Sequence, residues 1–324
     1  MPHAMRFHKP GGPEVLSWEE VEVGKPGPGE ALIRQTAVGL NFVETYIRSG
    51  LYPAALPSGL GTEGAGVVEA VGEGVTDIKV GDRVAYGVGP IGSYAEKRVM
   101  PAAVLVVLPE GISDQQGAAM MLKGLTTQYL IRQIFKVQKG DTVLWHAAAG
   151  GVGLIAGQWL KHLGANAIGT VGSEEKAKLA KAHGYAHTIL YRTEDFVKRA
   201  IEINGGQKLP VVYDSVGKDT FMKSLDRLKP RGMMVSFGQA SGAIPPVDLA
   251  IFAQKGSLMF TRPTLYNFAA TRPELLAMAK DLFDVVLSGA VKIEIGRTYK
   301  LKDAAQAHRD LQGRETTGSS VLLV

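Results

Sequence analysis

Hydrophobic and polar positions along the chain change their period twice. Over residues 1 to about 125, strand-like runs such as Ala31–Val38, Ala65–Val71 and Arg83–Gly87 alternate with turns rich in Gly and Pro, among them Lys25–Gly29, Gly72–Gly74 and Val80–Asp82. Many short strands with turn signals between them predict a small barrel-like β domain. From about 126 to 264 the runs alternate with segments of helical spacing. Strands are predicted near 142–147, 166–171, 187–191, 209–214, 233–237 and 257–261. Helices are predicted near 152–163, 174–183, 194–203 and 219–228. Ser173 and Thr193 stand where N-caps belong, and Gly164, Gly184 and Gly205 where helices should stop. Strands joined by helical crossovers make an α/β, doubly wound parallel six-stranded sheet. Beyond about 265 the pattern predicts a helix over Pro273–Leu287, a strand over Lys292–Tyr299, a helix over Leu301–Leu311 and a last strand over Ser320–Leu323. That last strand does not readily extend a parallel sheet. It is expected to return to the first domain, which then consists of 1–125 and 265–324 around a 126–264 insert.

The densest signal is Asp141–Gly164. Thr142–Ala147 reads as a buried strand, Ala148–Gly153 as a turn of small residues, and Val152, Ile155, Ala156, Trp159 and Leu163 recur at helical spacing. Strand, glycine turn and helix place backbone N–H groups and the positive end of a helix dipole against a pyrophosphate. The turn residues must be small because a side chain would hold the phosphates away from the backbone. Ala149, Gly150, Gly151, Val152 and Gly153 are therefore the candidate dinucleotide cradle. Thr142–Leu160 carries no formal charge and approaches the length of a membrane span. Its glycines and its change of period argue for strand and helix instead.

Composition changes the picture little. Charged residues make up 21% and hydrophobic ones 45%, as in a globular domain, and forty glycines point to many tight turns. A net charge of +5 without any dense Lys/Arg run requires no nucleic-acid partner. It is compatible with an anionic cofactor. The start, MPHAMRFHKPGG, has no apolar core or cleavage pattern, so the cytoplasm is the expected location. The absence of cysteine is the informative number, because it removes disulfides and thiolate metal sites together.

Gly140-Asp141, Leu144, Ala148-Ala149-Gly150-Gly151, Gly153, Gln158 and Lys161 stand at the spacing of a long signature, and the chain here resembles the zeta-crystallin-type quinone oxidoreductases. These belong to the wider medium-chain dehydrogenase/reductases. Gly61-Thr62-Glu63-Gly64-Ala65-Gly66, Val80-Gly81-Asp82-Arg83-Val84, Gly124-Leu125-Thr126, Tyr213-Asp214-Ser215-Val216-Gly217 and Gly318-Ser319-Ser320-Val321-Leu322 extend the resemblance over the whole chain. It implies a GroES-like catalytic domain around a Rossmann domain, NADPH as cofactor, a homodimer and reduction of quinones. It also implies that Asn41 and Tyr129 touch the nicotinamide side and that Arg314 lies near the 2′-phosphate.

Zinc-dependent relatives carry a His before the glutamate of a GHE motif, and several Cys ligands. This chain has Thr62 before Glu63 and no Cys, and its seven His residues show no ligand spacing. The usual N/S set cannot be assembled, and no metal is expected. A quinone tolerates this, because its own conjugation accepts electrons without a Lewis acid to hold a developing alkoxide.

The second Rossmann strand ends in Gly172-Ser173 with no acid at its tip, and Lys176 follows one turn later. An acid there would bind a ribose 2′-hydroxyl. A glycine opening, a hydroxyl and a lysine suit a 2′-phosphate, and Tyr191 is placed to flank the adenine-ribose end. Glu174 and Glu175 stand close enough to read a 2′-hydroxyl instead, or simply to favour the helix dipole. Ligands bind outside the carboxyl ends of parallel strands, which adds Ser215, Gly217, Phe237, Gly238, Ser241, Gly242, Thr261 and Arg262 to the candidate cofactor residues.

The expected reaction is hydride or stepwise electron transfer to a quinone in a cleft between domains. Asn41, Tyr46 and Tyr52 are the candidate catalytic residues: Asn41 to orient the nicotinamide or the quinone oxygen, a tyrosine to stack or to donate a hydrogen bond as charge builds. The tyrosines could equally be packing residues. An NADPH-dependent enone or alkenal reductase is the nearest rival, and a non-catalytic NADPH- or RNA-binding protein a rival of another class. The apolar run Ser257–Thr261 is expected to be the sheet edge through which a homodimer pairs.

Overall fold

The computed structural model describes all of residues 1–324, in two compact units. One comprises Met1–Leu125, Ala269–Leu287 and Ile293–Val324, and the other Thr126–Phe268 with Ser288–Lys292.

The first unit is built on the eleven-residue strand Glu30–Leu40. It pairs antiparallel with Gly64–Val71, with Lys97–Pro101 and with the C-terminal strand Ser319–Leu323. The C-terminal strand thus joins the sheet built on Glu30–Leu40, in the register Leu322↔Val38. The parallel neighbour of the C-terminal strand is Ile295–Lys300. Ala31, Ile33, Val68, Val84, Met100 and Leu105 fill one core. Met5, Phe7, Val38, Leu40, Ile47, Leu60, Tyr94 and Leu322 fill another. Each of the Val, Leu, Ile, Met and Phe side chains among them contributes on the order of 1.5–3 kcal/mol when withdrawn from water. Directly after Leu40 the chain turns into the helix Phe42–Arg48, so Asn41 and Tyr46 follow the buried end, Ala37–Leu40, of the longest strand of this unit.

The second unit holds six parallel strands in the spatial order His187–Leu190, Asn166–Val171, Thr142–Trp145, Leu209–Asp214, Leu228–Ser236, Met259–Thr261. The order reverses beside Thr142–Trp145, which places the glycine turn after that strand at the topological switch point. Leu144, Ile168, Val212 and Met234, one from each of four adjacent strands, lie in one core layer, which explains why these strands read as unbroken apolar runs. The stretch without charge is a strand, a turn and the helix Gly151–His162. No helix is long and apolar enough to cross a membrane.

Some expectations need correction. Thr193 is not an N-cap: the carboxylate of Glu194 accepts the N–H of Leu190 and holds 190–194 as a turn. The helix therefore starts later, at Phe196, capped by Asp195. The edge strand is shorter than expected because Ser257 has a left-handed backbone (φ 54°). The short helices Ala250–Gln254 and Leu265–Phe268 were not expected, and residues 288–292 pack with the second unit rather than the first.

Candidate functional site

The cradle turn is shaped from below. Ala147 has a left-handed backbone (φ 57°), and Gly150 is the N-cap of the helix Gly151–His162 without any side-chain cap bond. The first helical N–H groups are thus left for a ligand. Gly153 has no room for a side chain, since a Cβ there would lie 2.6 Å from the carbonyl oxygens of both Ala147 and Ala148. Its own carbonyl accepts the hydroxyl of Tyr185 at 2.8 Å, which ties the first helical turn to the buried interior. Ala148 and Ala149 are buried. Beneath the turn, His146 sits between the hydroxyls of Thr170 and Ser224, both at 2.9 Å, and burial pushes its imidazole below its usual range.

At the tip of the second strand, Ser173 caps the helix Glu174–Ala182, its hydroxyl oxygen accepting the N–H of Lys176 at 3.3 Å. Glu174 and Glu175 lie in that helix's first turn. Tyr191 leans over Gly172: its hydroxyl is 2.8 Å from where a Cβ on Gly172 would stand. Arg192 Nε lies 3.6 Å from the same point. The structure therefore brings Gly172, Ser173 and Tyr191 together, with Lys176 on the helix's first turn. It adds the exposed Arg192, which sequence reasoning missed. Its only signal there was a basic residue after the third strand. Arg314 lies in the first unit, exposed, in a turn after the helix Ala304–Gln312.

The next two strand ends interlock. Asp214 is fully buried; one carboxylate oxygen accepts the N–H groups of Val216 (2.7 Å) and Gly217 (3.1 Å), the other the hydroxyl of Thr220 (2.7 Å). It shapes the turn that carries Ser215 and Gly217, and sequence reasoning gave it no role. Ser241 is engaged within the protein, accepting the N–H of Asp219 and donating to the carbonyl of Val216 at 2.8 Å. Gly238 packs on Ser215, and Lys218 donates its N–H to the carbonyl of Gly242. Arg262, next to Thr261, donates to the carbonyl and hydroxyl of Ser236 and to the carbonyl of Gly238, so it braces the end of that strand. Phe237 lies against Trp145, with ring centroids 5.5 Å apart. Tyr129 is buried and stacked face to face on Phe268 at 4.5 Å, and burial raises its phenol. Phe268 is a further residue that the sequence pattern did not single out.

In the first unit Tyr46 and Tyr52 come together, while the side chain of Asn41 is held by Glu63. Asn41 precedes the helix Phe42–Arg48, and Tyr46 on that helix meets Tyr52 edge to face at 5.3 Å and Phe42 at 5.8 Å. Tyr52 also packs against the core, so its packing role is real. Asn41 belongs to a buried polar cluster. Glu44 accepts the N–H of Asn41 and both the N–H (3.2 Å) and hydroxyl (2.7 Å) of Thr62. Glu63 accepts from Asn41, from the N–H of Leu122 and from the ammonium of Lys123. Burial pushes the Glu44 carboxyl up to about 7, assisted by the negative charge of Glu63.

A zinc-binding dehydrogenase family model matches residues 151–284, and an alcohol dehydrogenase GroES-like domain model residues 27–110. The zinc in that first description does not fit the residues present. Glu63 is satisfied by three donors, one of them an ammonium, the Thr62 hydroxyl is spent on Glu44, and cysteine is absent. Quinone oxidoreductase of Pseudomonas aeruginosa is 56% identical over the full length of both chains. The crystal structure of Escherichia coli quinone oxidoreductase complexed with NADPH superposes with a TM-score of 0.98, at 50% identity, covering 99% of this chain and 100% of that one. The 2-haloacrylate reductase of a Burkholderia species is 48% identical, covering 98% of this chain and 97% of the relative. With a signature that spans the whole chain and relatives that match it end to end, the chain belongs to the quinone oxidoreductase family of the medium-chain dehydrogenase/reductases.

Proposed function

We propose that this protein is a cytoplasmic, zinc-independent oxidoreductase that uses NADPH to reduce quinones. The observation that carries the reading is the uncapped helix start over Gly150–Gly153, which offers an anion site built of backbone alone. The strand tip at Gly172 and Ser173, with no acid and with Lys176 and Arg192 nearby, favours the phosphorylated nicotinamide cofactor. When bound, that cofactor supplies two electrons, as a hydride or one at a time. The chain's contribution is to hold two flat rings in contact and exclude competing water. Asn41 orients the nicotinamide end, and Tyr46 or Tyr52 stacks on the quinone or donates to its oxygen as charge builds. The final proton comes from water.

Stopped-flow NADPH oxidation against 1,4-benzoquinone, naphthoquinones and small enones, with and without a radical trap and a chelator, tests the reading. Turnover of quinones that survives the chelator supports it, and preference for enones would shift it to the alternative. That alternative rests on the 48% identical 2-haloacrylate reductase, whose name describes reduction of an activated alkene.

Lys176→Ala is expected to weaken NADPH binding about 10- to 100-fold, the loss of one charge-assisted contact. NADH binding, which lacks the 2′-phosphate, should change far less. Titration of both cofactors by quenching of protein fluorescence checks this, and equal losses for the two would remove Lys176 from the phosphate site.

The partner surface of the reading is the sheet edge Met259–Thr261, where Met259 and Phe260 are 48% and 43% exposed. An apolar edge strand pairs favourably with its symmetry mate. Sedimentation is expected to show a dimer at micromolar concentration, and Phe260→Lys to shift it toward monomer. A wild-type monomer at that concentration would contradict the edge assignment.

A further inference from the structure

Asn41 carries a side chain whose two ends have opposite chemistry, a donor nitrogen and an acceptor oxygen. Which end a ligand can meet depends on what holds the other. Here Nδ2 donates to Glu63 Oε2 at 2.9 Å and lies 3.5 Å from Glu44 Oε1. Both neighbours are carboxyl oxygens, so the nitrogen faces them and the oxygen is the opposite end, set against the backbone N–H of Glu44 in a capping box at the start of the helix Phe42–Arg48.

Glu63 is built in with unusual completeness. It is fully buried, its Oε1 accepts the N–H of Leu122 at 2.8 Å, and its Oε2 also accepts the ammonium of Lys123 at 2.9 Å. The strand Glu30–Leu40 gives up a side chain to seat it: a Cβ on Gly39 would lie 2.1 Å from Glu63 Oε2 and 2.3 Å from the carbonyl of Ala118. A buried ion pair of this kind adds little net stability over a well-packed apolar pair, because desolvation offsets the Coulombic gain. What an apolar pair cannot supply is a directional acceptor for Asn41.

We propose that Glu63 is a positioning residue for the reductase reaction: balanced by Lys123 and seated over Gly39, its carboxylate fixes the Asn41 amide with the nitrogen on the carboxylate and the carbonyl turned toward the helix start, where one lone pair meets the N–H of Glu44 and the other is the one a cofactor would engage. The proposal rests on the placement of Asn41 at the nicotinamide side. It also separates the two roles open to Asn41. A carbonyl accepts a hydrogen bond, so it suits the carboxamide N–H of a nicotinamide and not the oxygen of a quinone, which needs a donor.

Glu63→Gln tests this when combined with Lys123→Met, which removes the cation that would otherwise be left buried and unpaired. With Leu122 still donating to the glutamine oxygen, the glutamine nitrogen faces Asn41, and the Asn41 amide must turn end for end. In the folded double variant the KM for NADPH is expected to rise about tenfold, the size of one mismatched hydrogen bond. The KM for quinone should stay near that of wild type. The Asn41 side-chain amide resonances of 15N-asparagine-labelled protein should shift as their carboxylate acceptor is lost. Glu63→Asp keeps the charge beside Lys123 but withdraws the acceptor from Asn41, and should raise the same KM; it serves if the double variant does not fold. Asn41→Ala is the reference. Impairment of Asn41→Ala beside wild-type NADPH kinetics in the Glu63 variants would overturn the positioning role alone. An Asn41→Ala protein with unchanged kinetics would remove the site assignment beneath it.

Discussion

Gly153→Ala is expected to raise the Kd for NADPH at least about 100-fold, although it adds a single methyl group to a helix. Alanine ordinarily favours a helix over glycine by roughly 1 kcal/mol, so on propensity alone the change should stabilise the protein. The local geometry decides otherwise. The added carbon would meet two backbone carbonyl oxygens, those of Ala147 and Ala148, at 2.6 Å each. Backbone cannot swing aside as a side-chain end can, so the helix start must move relative to the turn. That movement also strains the bond from the Tyr185 hydroxyl to the Gly153 carbonyl. Two or three N–H groups aimed at the pyrophosphate would lose their alignment together. At roughly 1.5–3 kcal/mol for each charge-assisted bond, losing even two accounts for the expected factor. Calorimetric titration with NADPH and NADH should show the loss for both cofactors, unlike Lys176→Ala, which separates them. Wild-type affinity in Gly153→Ala would mean that the phosphates bind elsewhere.

How much of this was legible in the sequence differs between the two units for a physical reason. The strands of the second unit are covered on both faces, so Thr142–Trp145, Asn166–Val171 and Leu209–Asp214 show as apolar runs that few other structures explain. The glycines ending its helices, Gly164, Gly184 and Gly205, all have positive φ. In the first unit the return of Ser319–Leu323 to pair with Glu30–Leu40 followed from topology, because a last strand had nowhere else to go. The parts that stayed hidden are those where polar residues leave the surface. Glu44, Glu63, Lys123 and Asp214 look, one at a time, like ordinary charged positions; nothing in the periodicity says that all four are buried. Only the tertiary arrangement supplies their partners. Ser241 shows the converse. It was a sound candidate by strand-end position, yet its hydroxyl is bonded on both sides within the protein. Arg192 was missed because proximity to Gly172 depends on how two loops fold over one strand tip, which no local pattern encodes.

Glu44 should make folding stability fall toward alkaline pH, and Glu44→Gln should remove that fall. The carboxyl moves from an ordinary value of 4.5 to about 7 in the folded protein, chiefly by burial, with Thr62, Lys123 and Asn41 holding it down and Glu63 pushing it up. The folded state therefore binds a proton that the unfolded state has released between those two values. Its contribution is fully present below about pH 4.5 and is lost as pH rises through about 7, in total on the order of 3 kcal/mol. His308 works in the opposite direction. Burial and the neighbouring Arg48 lower its imidazole from 6.5 to about 3, so its contribution is present above pH 6.5 and is lost as pH falls through 3. Between pH 4.5 and 6.5 the two nearly cancel in the wild type, and a single stability profile would show little. The difference between wild type and Glu44→Gln is the informative quantity, because His308 is common to both and drops out. Glutamine at 44 also places a nitrogen against a donor, either Asn41 or Thr62, but that cost does not vary with pH. Urea unfolding at intervals from pH 4.5 to 8.5 should show the wild type losing about 3 kcal/mol relative to the variant, nearly all of it below pH 8. A difference that stays constant across the range would show that Glu44 is ionised in the folded protein throughout, and that the donors around it outweigh its burial.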